Sequence, residues 1–137
     1  MFKIDKTDYG MKLILAGDIA VEEMTTWLKE LKAVIDDMNN DFCAFVDMRK
    51  LIPISTEARE PLEAGQKYAK EKGMRRSVVI LNNPVLTMQF KGIAHQTGIY
   101  VWERYIDASQ EPDWERVGLD WLISCVDPDK KVALPQD

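Results

Sequence analysis

VDMRKLIPISTEA, residues 46–58, decides how the rest of this chain is read. It continues an apolar run that begins at Phe42 and breaks at Asp47, with a basic residue, Arg49, just beyond. A nearly unbroken apolar run of this length predicts a central strand covered on both faces, as parallel strands are. Pro53 blocks regular structure. Ser55 or Thr56 then stands where a residue would cap a helix running to about Lys72. The stretch reads as strand, exit, loop and helix start, and strand exits are where α/β sheets carry their sites.

Toward the N-terminus, Phe2 and Ile4 alternate with Lys3 and Asp5, the pattern of a half-buried strand. A polar turn ending at Gly10 and a second apolar stretch, residues 11–16, complete an antiparallel hairpin that Gly17-Asp18 stops. From Val21 the period changes. Val21, Met24, Leu28, Leu31, Ile35 and Met38 recur at helical steps, with Glu22 and Glu23 in a first turn that favours acidic groups.

Toward the C-terminus, Ala58, Leu62, Gly65 or Gln66, and Ala69 mark the inner face of the next helix. Pro61 either bends its first turn or moves its start a few residues later, and Gly73 closes it. SVVIL, residues 77–81, is a second buried strand. Pro84 opens a helix from Val85 with Leu86, Phe90, Ile93 and Thr97 on its inner face. That helix ends at Gly98 or continues through Tyr100 and Val101. Residues 104–107 suit one more strand, and Pro112 starts a last helix with Trp114, Val117, Trp121 and Leu122 inward. Residues 128–137 form a polar tail with two prolines, expected to be loosely held. The order is β-β-α-β-α-β-α-β-α, one domain over residues 1–127. Right-handed crossovers line up the strand exits at Met48, Leu81 and Asp107 on one edge.

With 137 residues the chain can bury a substantial core. At 46% hydrophobic and 30% charged it has the composition of a soluble globular protein. A net charge of -5 without a basic patch argues against nucleic acid, whose phosphates require clustered Lys and Arg. The densest basic run, residues 67–76, is interrupted by Glu71 and reads as a solvated helix face. MFKIDKTDYG at the start shows no apolar signal segment, and no stretch approaches the ~20 apolar residues of a membrane span. A cytoplasmic location is expected. Cys43 and Cys125 lie in apolar surroundings and read as small buried hydrophobes in a reduced protein.

The chemistry-bearing residues are few. Ser55 and Thr56 have two readings: one of them caps a helix, or one is a phosphorylation site at the positive end of that helix, near Arg49 and Arg59. Asp47 and Arg49 flank Met48 and point to one side of the sheet, either as an ion pair closing the strand or as the charged lip of an interaction edge. His95 is the single histidine; it has no carboxylate at ligand spacing and no partner for a metal cluster. No GxSxG elbow and no glycine-rich phosphate loop occurs. Neither a metal nor a cofactor is expected, and the chain does not read as an enzyme. Tyr100, Trp102 and Tyr105 lie in a segment rich in large rings and interspersed charge, which suits a partner surface or an apolar pocket.

Three patterns in order resemble the STAS domains, in their SpoIIAA-like branch, which borders on the SEC14-type lipid-binding fold. They are Leu15-Ala16-Gly17-Asp18-Ile19 ending the hairpin, Val46-Asp47-Met48 ending the central strand, and Gly118-Leu119-Asp120-Trp121-Leu122 in the last helix. The resemblance implies a SpoIIAA-like α/β fold with a mixed, mostly parallel sheet under about four helices. In anti-sigma-factor antagonists of this family an Asp-Ser pair follows the loop after the central strand, and a partner kinase phosphorylates the Ser. Counted from Asp47, the pair falls on Ser55 and Thr56, with Ser55 in the acidic position. The implied function is a non-enzymatic regulatory module that docks a protein partner through this edge, with a homodimer through the aromatic segment. The alternative is SEC14-like binding of a small apolar ligand or lipid between the sheet and a movable helix.

Overall fold

The alternation of Phe2 and Ile4 closes as the expected hairpin: β1 (Phe2–Thr7) pairs antiparallel with β2 (Gly10–Leu15), Phe2 opposite Leu15. The computed structural model describes residues 1–39, 41–130 and 132–135. Three further strands, β3 (Phe42–Asp47), β4 (Met74–Leu81) and β5 (Glu103–Asp107), add in chain order, each parallel to its predecessor. The sheet order is β1-β2-β3-β4-β5. The crossovers are α1 (Val21–Asp36), α2 (Thr56–Glu71) and α3 (Pro84–Thr97), and α4 (Trp114–Ser124) follows the last strand.

A sheet that grows in one direction through crossovers of one hand places all of them on one face. The buried clusters agree. Met24, Trp27 and Leu31 of α1, Ala58 and Ala69 of α2 and Ala94 of α3 pack with Leu13, Ala44, Val46 and Val79. On the other face Val117, Trp121 and Leu122 of α4 meet Cys43, Phe45, Val78, Ile80 and Ile106. Successive strand residues point to opposite faces, so every residue of β3 is buried, as its apolar run predicts. Each large side chain so removed from water contributes about 1.5–3 kcal/mol.

Small residues set the helix spacing on the crowded face. A Cβ at Gly65 would stand 2.6 Å from the Trp27 ring, so only glycine lets α2 settle against α1. Pro61 lies inside α2 without delaying its start at Thr56. At the end of α3, Gly98 adopts the left-handed conformation that terminates the helix, and a short 3-10 turn, Ile99–Val101, leads into β5.

Four expectations are corrected. Trp27, in addition to the half-buried Leu28, fills the inner face of α1, because both lie within one helical stripe. Ile93 and Thr97 face outward: α3 covers the sheet margin with a narrow face whose buried residues are Thr87 and Ala94. Arg76 is in β4, not on a solvated helix face; its guanidinium is buried and donates to the carbonyls of Trp121 (2.9 Å) and Leu122 (2.7 Å). It thereby serves the carbonyls of the last turn of α4, where helix ends run short of donors; of the two, the Trp121 carbonyl also accepts from the Cys125 amide (3.2 Å). Finally, the tail is pinned in part. β6 (Val126–Asp127) and β7 (Val132–Ala133) pair antiparallel, the Leu134 amide donates to the Cys125 carbonyl (2.8 Å), and Lys91 of α3 bonds Asp129 (2.8 Å).

Both cysteines are free and buried. Among the described residues no helix is long and apolar enough to cross a membrane.

Candidate functional site

The C-terminal ends of β2, β3, β4 and β5 share one edge, as four parallel strands require. The chain leaving β3 stays close to it. Met48 donates its amide to the Ile80 carbonyl (2.9 Å), and the next turn folds back so that Leu51 bridges Gly17 in parallel. The Gly17 amide reaches the Lys50 carbonyl (2.8 Å), and the Ile52 amide reaches the Gly17 carbonyl (3.0 Å). This clamp carries the chain across the mouth of the hairpin and delivers Ser55 to the start of α2.

Asp47 and Arg49 form the ion pair expected from their spacing. Arg49 donates from Nε to Oδ1 (3.0 Å) and from Nη2 to Oδ2 (2.9 Å), and its own amide donates to Oδ1 (3.1 Å). Burial pushes the Asp47 carboxyl up, but these bonds outweigh it and hold it below the usual aspartate value. The Arg49 guanidinium also lies 4.0 Å from the centre of the Trp114 ring, a cation–π contact from the first residue of α4. Beside it Lys12 of β2 pairs with Glu115 at 3.7 Å. Arg49 is thus engaged on the α4 side of the sheet, whereas α2 packs on the opposite face.

The hydroxyls stand apart from this lock. Ser55 is the N-cap of α2: its Oγ accepts from the Ala58 amide (3.1 Å), and its carbonyl accepts from the Arg59 amide (3.1 Å). Thr56 is the first helical residue. Ser55, Thr56 and Arg59 are all exposed. Arg59, rather than Arg49, is the basic residue near the start of the helix that presents the hydroxyls.

The other exits are closed locally. Asn83 caps α3 by accepting from the Leu86 amide (2.9 Å), and Asp107 Oδ1 accepts from the amide (3.0 Å) and hydroxyl (2.6 Å) of Ser109. Asp107 Oδ2 is buried without a partner.

The structure separates the three aromatic candidates. Tyr105 is buried, and its hydroxyl donates to the Glu103 carboxylate, so it belongs to the core and to no surface. Tyr100 stacks on His95 with ring centres 3.9 Å apart, lies under the Arg104 guanidinium (3.7 Å) and donates to Asp129. Burial and the Asp129 charge push its hydroxyl up. Trp102, with Ile99, lines a surface cleft of about 260 Å³ against Glu63, Gln66, Lys67, Lys70 and Glu71 of α2.

Two groups were not foreseen in the sequence. Arg104 and Asp127 pair on the α4 face, and Glu103 is buried on the other, accepting from Ser77 Oγ (2.6 Å) and Gln66 Nε2 (3.0 Å). Apart from Tyr105 beside Glu103, their side-chain hydrogen-bond partners are distant in the chain, so no local spacing announces them. Among the described residues no group of His, Cys, Asp and Glu could hold a metal ion.

No family model and no curated protein sequence matches the chain. Among solved structures it is similar to an uncharacterized protein of the DUF3478 family with a SpoIIAA-like fold from Shewanella loihica PV-4. The two are 16% identical with a TM-score of 0.64, over 89% of this chain and 92% of that one. It is also similar to the Bacillus cell fate determinant SpoIIAA in its phosphorylated form, at 12% identity and a TM-score of 0.56, over 85% of this chain and 99% of that one. At these identities the likeness shows the fold alone, and the fold is SpoIIAA-like.

Proposed function

We propose that this domain is a non-enzymatic cytoplasmic regulatory module. It docks a protein partner through the edge formed by residues 48–59, and phosphorylation at Thr56 or Ser55 modulates the docking. One observation carries the reading: both hydroxyls are exposed at the first turn of α2, on an edge backed by the Asp47–Arg49–Trp114 contacts. A phosphate there would face the unpaired amides and positive end of a helix, with Arg59 one turn along, so it can be accommodated without disrupting the fold. The similar Bacillus protein is a cell fate determinant with a phosphorylated form, which supports reading a phosphorylation switch on this fold.

The test is mass spectrometry of the protein from its native cells, paired with affinity capture by wild type and by Thr56→Glu. Phosphate on either hydroxyl, and a partner retained by one form and lost by the other, is the expected result. A partner captured equally by both forms, with neither hydroxyl ever modified, removes the switch.

Binding of a small apolar ligand has one feature in its favour, the cleft beside Trp102. Its volume of about 260 Å³ falls below the ~300–1,000 Å³ of typical ligand sites, so the docking module is the better reading. Native mass spectrometry of freshly purified protein decides between them, since a retained small molecule would favour the cleft.

A further inference from the structure

The outward face of α3 differs from that of every other crossover helix. The exposed faces of α1 and α2 carry Glu22, Lys29, Glu30 and Lys32, and Glu57, Glu60, Lys67 and Glu71. In α3 the exposed residues are Pro84, Val85, Met88, Gln89, Gly92, Ile93, His95, Gln96 and Thr97. None is a carboxylate, an ammonium or a guanidinium, in a chain that is 30% charged. The one such residue of this 14-residue helix, Lys91, is half-buried and bonded to Asp129. Val85, Met88 and Ile93 are 65%, 73% and 54% exposed, and a side chain at Gly92 would meet open space.

We infer that α3 is a self-association surface whose occupant is the α3 of a second copy of this chain. A two-fold contact places each residue type near its own kind or its symmetry mate. Charged faces such as those of α1 and α2 oppose like charges across such an axis, and a domain of net charge -5 already repels its copy. An uncharged face removes that opposition, and glutamine amides, each both donor and acceptor, satisfy one another across the axis. An antiparallel arrangement sets the positive N-terminus of each helix, capped at Asn83, beside the C-terminus of the other at Gly98. Centred between Gln89 and Gly92, it lays Met88 on Ile93 of the second copy. It also gives each Gln89 the bare backbone of the opposite Gly92 to lie on.

The size of the patch fixes the strength. A 14-residue helix is about 21 Å long, so a strip one helix wide is far smaller than the ~800 Å² per partner of a stable interface. The association is transient and appears only at high protein concentration.

Sedimentation equilibrium of the full chain over a concentration series tests this. Wild type is expected to move from monomer toward dimer, and Met88→Glu and Ile93→Lys, each at an exposed position, are expected to abolish the shift. An equimolar mixture of the two variants is expected to regain it, because a Glu at 88 then meets a Lys at 93. Thermal melting of each variant at low concentration, unchanged from wild type, establishes that the fold is intact. A wild type that stays monomeric throughout, a variant that still associates, or a mixture that does not recover overturns the inference. So does a wild type that floats with neutral phosphatidylcholine vesicles but does not dimerise.

Discussion

Arg104 and Asp127 form an ion pair sealed from solvent, with side chains 4% and 1% exposed and Nε to Oδ1 at 3.0 Å. The guanidinium is held between the Tyr100 and Trp121 rings at 3.7 and 4.2 Å from their centres. This contact ties the segment after α4 to the edge strand of the sheet.

Removing one member of a buried pair strands the other, which costs about 3–5 kcal/mol. Asp127→Ala is expected to destabilise by that order at neutral pH in urea unfolding. Burial pushes the Asp127 carboxyl up, but hydrogen bonds from Arg104 and the Asp129 amide hold it below the usual aspartate value. The folded protein therefore binds this proton less readily than the unfolded chain. Its contribution is complete above the unfolded value near ~3.9 and is lost as pH falls through the lower folded value. The variant should lack that acid-dependent loss.

Glu103 has the opposite sign. Burial holds its carboxyl above the usual range, although bonds from Ser77, Tyr105 and Gln66 pull it down. Between an unfolded value near ~4.3 and the raised folded value, the native state binds more protons, so stability falls as pH rises through that window. Unfolding free energies measured across mildly acidic pH should show this decline in wild type and its absence in Glu103→Gln.

Arg49→Ala removes both guanidinium donors from a buried carboxylate and leaves it only the backbone amide of residue 49. A loss of about 1–3 kcal/mol is expected, below that for Asp127→Ala because Arg49 is partly exposed. The Asp47 carboxyl should titrate higher in the variant, as carbon-detected NMR of that side chain would show.

Two glycines separate packing from propensity. At Gly65 a methyl group meets Trp27 at 2.6 Å and Leu31 at 2.9 Å, so Gly65→Ala should cost about 1–3 kcal/mol by overpacking. At Gly92 nothing stands within 4 Å, so Gly92→Ala should stabilise by up to ~1 kcal/mol through helix propensity. Denaturant melts at low concentration compare them, and a shared sign would contradict the geometry.

The two hydroxyls of α2 are also distinguishable. Ser55→Ala removes the cap on the Ala58 amide and should cost about 1 kcal/mol, whereas Thr56→Ala should stay within ~0.5 kcal/mol. Equal losses in thermal melts would mean that Thr56 shares the capping.

The sheet was legible because its strands advertise themselves: the run from Phe42 to Asp47 is apolar on both parities, and Phe2 and Ile4 alternate. The Ser55 cap and the Asp47–Arg49 pair were legible because each is written within a few residues. Trp114 over Arg49 was not, since α4 joins the site from far along the chain. Arg76 misled, and the pairing of Arg104 went unread, for a related reason. A buried arginine is identical in sequence to a solvated one until its acceptors are known, and here they are Asp127 and the last carbonyls of α4. Ile93 misled because a helix at a sheet margin buries a narrower stripe than apolar periodicity suggests.

The distribution of helices, three on one face and α4 alone on the other, bears on how the chain is made. Synthesis runs from the N-terminus, and everything up to β5 is available to fold before α4 has emerged. Until it does, Phe45, Val78, Ile80 and Ile106 form an uncovered apolar wall on a complete five-stranded sheet. The nascent chain is most vulnerable to aggregation at that stage, and a frameshift or cleavage upstream of Trp114 would leave it there.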